Sequence, residues 1–166
     1  MTSHSLAGLL LAACCLSVAP AGAASSASTE GDHRMHAHAT GSFSISMTPA
    51  TAPQRAGRTS LGRVLLEKVY AGDLVATAKG EMLNAVTDTQ GAAGYVAMEA
   101  ITGVLQGRQG SFVAQHVGTM ADGRQALSIV IVPHSGTGQL AGISGTLAIR
   151  IENGQHFYDI DYSLPE

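Results

Sequence analysis

His116 stands in the run GSFVAQHVGT (110–119) among small and apolar residues in strict alternation, and Glu99 holds a similar place in YVAMEAITG (95–103). A carboxylate and an imidazole on one face can pass a proton between them, so the pair could act as acid and base on a small substrate. It could equally fix the polar end of a bound molecule. A third possibility is mutual satisfaction in a core, where an unpartnered polar group is costly.

Other chemistry finds little support. Ser135 and His134 adjoin in PHSGTGQLAGISG (133–145), but strand neighbours point to opposite faces and no acid is placed to orient the imidazole. That speaks against serine hydrolysis. The glycines of the same run lack a lysine after a G-x-x-x-x-G frame and precede no helix start, which speaks against a phosphate cradle. They read instead as a corner or bulge at the barrel mouth. His33, His36 and His38 include an H-x-H pair that could share a metal ion, yet only Asp32 offers an acidic partner nearby. A solvated linker is expected there, with no metal site and no cofactor.

The elements that position Glu99 and His116 must be strands. From Thr40 onward, short runs of Val, Ile, Leu and Thr are punctuated by Gly, and no stretch keeps a helical period. The expected strands are 40–47, 61–70, 75–86, 94–103, 110–120, 125–132, 143–152 and 155–164. Turn chemistry separates them at Ala71-Gly72-Asp73, Thr89-Gln90-Gly91, Gly107-Arg108, Asp122-Gly123 and Asn153-Gly154. Eight antiparallel strands joined by hairpins most simply close into a small barrel, which leaves no exposed edge. The fold class is therefore all-β.

Register follows from the turns. A two-residue turn at Asn153-Gly154 places Ile151, Ile149, Leu147 and Gly145 opposite His156, Tyr158, Ile160 and Tyr162 on the buried face. Its reverse carries Arg150 within reach of carboxylates. A turn at Gly107-Arg108 pairs Glu99 with His116, and one at Asp122-Gly123 sets Ile129 opposite His116, with Leu127 and Ile131 on the same face. Glu81 is a possible second carboxylate. Glu67 and Lys68 are expected to be exposed.

The leader, MTSHSLAGLLLAACCLSVAPAGA, has an apolar run from Leu6 to Ala19 that is too short to span a bilayer and fits a secretory signal. Ala21 and Ala23 give a cleavage site, so residues 1–23 form a signal peptide, 24–39 a flexible histidine-containing leader and 40–166 the barrel domain. Export to the periplasm or the extracellular space is expected. An alternative takes Leu11-Ala12-Ala13-Cys14 as a lipobox that would anchor the protein through Cys14. Cleavage after Ala23 removes both Cys14 and Cys15, leaving no disulfide. Charged residues are 13% of the chain, against a usual ~25%, and the net charge is −3. That argues against nucleic acid as a partner. It also suggests apolar surface hidden in a cavity or between subunits, and outward-facing Val113, Val130 and Val132 suggest a homo-oligomer.

The runs KVYAGDL (68–74), YVAMEAITGVLQGRQGSFVAQHVGT (95–119), PHSGTGQLAGISG (133–145) and HFYDIDYSL (156–164) resemble a bacterial family catalogued as domain of unknown function 3224. The likeness covers nearly all of the chain after the leader. It departs at His134, where a small residue is more usual. That resemblance implies an eight-stranded barrel similar to allene oxide cyclase and dirigent proteins, enclosing a cavity and often oligomeric. It implies no reaction, because fold alone does not fix function.

Three readings follow. In the first, the lumen binds a small apolar molecule against Tyr95, Phe112, Leu127, Ile129, Ile149, Tyr158 and Tyr162, with Glu99 and His116 at its polar end. In the second, Glu99 and His116 are the acid and base of an isomerase or cyclase. The third is a structural barrel with a filled lumen. Ala97, Ala114 and Gly118 leave space beside the pair and favour a cavity.

Overall fold

The three tightest hairpins share one turn chemistry. At Gln106-Gly107, Asp122-Gly123 and Asn153-Gly154 both central residues have positive φ, with glycine second. This is the type I′ pattern, whose twist matches that of the flanking strands. In the computed structural model, which describes residues 33–166, these turns join strands into one antiparallel sheet. The signal peptide, Cys14 and the cleavage site after Ala23 lie outside the described residues.

The strands are β1 (Arg34–Pro49), β2 (Gln54–Ala56), β3 (Thr59–Gly72), β4 (Leu74–Thr87), β5 (Ala93–Leu105), β6 (Arg108–Ala121), β7 (Arg124–Ile131), β8 (Thr137–Gly138), β9 (Ser144–Glu152) and β10 (Gln155–Pro165). No helix occurs among the described residues. The sheet runs β1-β10-β9-β7-β6-β5-β4-β3, and a β1–β3 pairing closes it into an eight-stranded barrel. β1 makes the closure by pairing with β10 through Phe43 and with β3 from Gly41 onward. The short β2 and β8 pair beside β3 and β6.

Two expectations are corrected here. β1 begins at Arg34 rather than Thr40, so His36 and His38 belong to a paired strand and not to a flexible leader. His38 meets Asp161 at 2.7 Å and Asp159 at 3.6 Å on the barrel's outside. The β5–β6 turn falls at Gln106-Gly107, so Ala97 opposes His116 and Glu99 opposes Ala114. A type I′ turn wants glycine second, which Gly107-Arg108 cannot offer. Moving the turn by one residue shifts the register by two, and Glu99 and His116 stay on the same face. The β6–β7 and β9–β10 registers are as expected.

Up-and-down connectivity gives the barrel two unlike ends. At one lie the β3–β4 and β5–β6 turns, the start of β1, the end of β10 and the segment 132–143. Leu74, Leu105, Leu140, Ile143, Tyr158, Tyr162 and Leu164 fill this end and are all buried. Segment 132–143 supplies two of them, so its glycines serve a lid over the barrel end. His134 takes φ +60° there, a left-handed conformation that glycine adopts freely and that Asn, Asp and His adopt more often than other residues. At the other end, with the turns at 88–92, 122–123 and 153–154, inward-facing Leu127 and Ile151 remain 42% and 63% exposed. The barrel is packed at one end and open at the other.

Candidate functional site

Near the middle of the barrel four polar side chains meet on its inner face. β3 alternates Leu66, Lys68 and Tyr70 inward, β5 alternates Ala97, Glu99 and Ile101, and β6 alternates Ala114, His116 and Gly118. β4 lies between β3 and β5, so side chains from those strands must cross two inter-strand spacings, about 10 Å, to touch. They can do so because β4 presents only Ala76, Ala78 and Gly80 to the lumen at this level. A Cβ at Gly80 would stand 2.4 Å from the Met98 carbonyl oxygen. The bare strand is a passage.

Lys68 crosses it, and its Nζ donates to Glu99 Oε2 at 2.7 Å and to the Tyr70 hydroxyl at 3.3 Å. The Tyr70 hydroxyl donates in turn to Glu99 Oε1 at 2.7 Å. Phe43 packs its ring 4.8 Å from the Lys68 ammonium, a cation–π contact made away from water. His116 Nε2 lies 3.0 Å from Glu99 Oε2, but off the N–H axis, and no hydrogen bond forms. Lys68, Glu99 and His116 are 5%, 1% and 5% exposed.

The electrostatics follow from these contacts. Burial alone would raise the Glu99 carboxyl, but the His116 imidazole 3.0 Å away, the Lys68 ammonium and the Tyr70 hydroxyl together outweigh it and hold the group below its ordinary value. Burial, and then the Glu99 charge, push the Tyr70 phenol far above its usual range. Tyr70 therefore remains a donor and Glu99 remains an anion. A carboxylate held low and already accepting from two donors is a weak general base.

The structure brings Glu99 and His116 together as the sequence suggests. It adds Lys68 and Tyr70, which sequence reasoning missed. Lys68 is buried rather than exposed: it shares the face of Leu66 and Tyr70, whereas Glu67 lies on the outer face near Lys79. The usable signal was the run of small residues at alternate positions of β4, which leaves room for a long side chain from next door. Glu81 is not in the site; it is exposed and forms an ion pair with Arg63 on the outer wall.

The expected lining residues divide between the two ends. Phe112, Ile129, Tyr158 and Tyr162 belong to the buried core. Tyr158 Oη accepts from the Leu74 amide at 2.8 Å, and the Tyr162 hydroxyl donates to Gln106 at 2.8 Å. Tyr95 is half-buried toward the open end, with its ring laid over Gly118, where a Cβ would come within 2.2 Å of it. Ile149 is half-buried and Leu127 exposed in the same region. Beside the β9–β10 turn a groove of about 750 Å³ is lined by Phe43, Ile45, Val69, His156 and neighbours. Phe43 thus separates this groove from Lys68.

Ser135 has a structural role: its hydroxyl donates to the Val132 carbonyl at 2.7 Å and accepts from the Val113 amide at 3.0 Å. Among the described residues no group of three or more His, Cys, Asp or Glu is placed to hold a metal ion, and no helix is long and apolar enough to cross a membrane.

Fold and site together define a closed antiparallel barrel with an ion-paired cluster buried inside it. The chain belongs to the family described as Protein of unknown function (DUF3224), whose model matches residues 39–162. It is also similar to a solved structure of a DUF3224 protein of unknown function from Shewanella oneidensis MR-1, with 48% identity and a TM-score of 0.74. That match covers 80% of this chain and 99% of the other. No curated protein matches.

Proposed function

We propose that this protein is an exported binding module whose open half holds a small apolar molecule, with its polar end toward Glu99 and His116. One observation carries the reading: inward-facing apolar side chains are left exposed at one end of the barrel, above a buried polar cluster. Leu127 and Ile151 face inward yet stay in water, with Ile45, Tyr95 and Ile149 half-buried behind them. Apolar walls around a few fixed polar groups are the usual make-up of a ligand site.

An isomerase or cyclase would need a base, and Glu99 is already committed to Lys68 and Tyr70. A buried ion pair is also a poor way to stabilise a core, since apolar residues of similar volume often do as well or better. Both points favour binding. We further propose a homo-oligomer. An exposed apolar groove across β4 and β5 is lined by Leu83, Val96 and Met98, whereas Val113 and Val132 are partly covered around Ser135. Sedimentation at micromolar concentration should show an assembly, and monomer alone would contradict it.

Nile red, an uncharged dye that brightens in apolar surroundings, tests the binding reading. Uptake by the wild-type barrel is expected, with loss on changing Leu127 or Ile149 to glutamate while the protein stays folded. No uptake, or uptake indifferent to both changes, would remove it.

A further inference from the structure

Among the described residues, His116 Nε2 is the buried side-chain nitrogen that finds no hydrogen-bond partner. Its neighbours are better served. Lys68 and Tyr70 both reach Glu99, and Tyr158 and Tyr162 bond to the backbone and to Gln106. The surroundings settle what the orphan atom carries. A charged carboxylate oxygen 3.0 Å away would repel a lone pair on Nε2, so the ring holds its proton there. That N–H makes no hydrogen bond, although Glu99 lies beside it. A buried donor in this state gains most from any acceptor that reaches it.

Local charge selects the kind of acceptor. Lys68 and Glu99 are committed to each other, and Ser163, the other buried polar residue of the described chain beside His116, carries no charge. A carboxylate or phosphate brought to His116 would be a buried anion without a counter-ion, whereas a carbonyl oxygen only accepts the bond. Space beside the imidazole is set by small side chains, Ala97 across the strand pair and Ala114 on its own strand. Toward the open end the Tyr95 ring forms the border over Gly118.

We propose that the molecule held in the open half presents a neutral hydrogen-bond acceptor, a ketone, ester or amide carbonyl, to the Nε2–H of His116. This rests on the binding reading above and narrows it to a ligand class. Lys68 and Glu99 then hold the His116 tautomer and keep the site neutral overall, and His116 makes the contact.

Three probes of one skeleton test it by calorimetry on the wild-type protein: ethylbenzene with no acceptor, acetophenone with a neutral one and benzoate with a charged one. Acetophenone should bind about five- to ten-fold more tightly than ethylbenzene, the worth of one buried hydrogen bond, and benzoate should bind most weakly. Replacing His116 with phenylalanine should erase the preference for acetophenone. Nitrogen NMR of the free protein should show a proton on Nε2, with that resonance moving on addition of acetophenone. If the replacement does not fold, the wild-type probe series and the tautomer still decide. Equal binding of acetophenone and ethylbenzene, tightest binding of benzoate, or an Nδ1–H tautomer would overturn the inference and leave the binding reading intact. Binding of none of the three would overturn the inference, and the binding reading falls with it only if Nile red is also not taken up.

Discussion

Replacing Lys68 with methionine takes away the nearest cation to a buried carboxylate and tests whether the cluster is wired as described. Glu99 would keep the Tyr70 hydroxyl at 2.7 Å and the imidazole at 3.0 Å but lose the ammonium at 2.7 Å. Breaking a buried pair from one side costs about 3–5 kcal/mol, and the hydroxyl that remains should hold the loss near the lower end. At roughly 4 °C per kcal/mol for a domain of this size, Tm should fall by roughly 10 °C. Changing Lys68 to methionine together with Glu99 to glutamine removes both charges and keeps an acceptor for Tyr70. That double variant should recover to within about 1–2 kcal/mol of wild type.

The pH dependence carries its own sign. In the wild-type fold the Glu99 carboxyl is held low, so its contribution is present above the unfolded carboxyl value and is lost as pH falls through the folded value. Without Lys68, burial has less to oppose it and the carboxyl rises. The deficit of the Lys68→Met variant should therefore be largest near neutral pH and shrink toward acid, as the stranded group takes up a proton. Urea unfolding of wild type, both single variants and the double variant at several pH values measures this. A neutral-pH loss below about 1 kcal/mol, well short of the cost of breaking a buried pair, or a deficit flat with pH, would refute the reasoning.

Gly118→Ala should force the Tyr95 ring off the strand and cost about 1–3 kcal/mol, with tyrosine fluorescence reporting the moved ring. His38 should titrate above the ordinary histidine range because Asp161, and then Asp159, hold its proton. Its contribution to stability is present below the unfolded value and is lost as pH rises through the folded one. Proton NMR checks this, and Asp161→Asn should bring the midpoint down. Protein recovered from its host should have an intact mass that begins at or near Ala24, whereas a diacylglyceryl mass on Cys14 would mean a lipid anchor.

Much of the barrel was legible where turn chemistry is local. Asp122-Gly123 and Asn153-Gly154 offer one good type I′ placement each, so the register of two hairpins followed from four residues. Around Gln106-Gly107-Arg108 two placements compete, and only the preference for glycine second separates them. The start of β1 was missed although Arg34 to Ala39 alternates polar and apolar, with Met35, Ala37 and Ala39 against the core. Two of those three are alanines, a weak strand signal, and what makes the segment a strand is pairing with the far end of the chain at β10. Lys68 was hidden for a related reason. Both faces of β3 carry a charge, and the outer face also exposes Leu61, Leu65 and Val69, so hydrophobicity alone cannot say which side is in. What decides it is the bare inner face of β4, a neighbour in space.

The most direct test of the binding reading is native mass spectrometry of the protein purified from its own host. A species heavier than the polypeptide by the mass of a small apolar molecule is expected, released by organic solvent and absent from protein carrying glutamate at position 127 or 149. A bare polypeptide mass, from protein that also fails to take up Nile red, would contradict it.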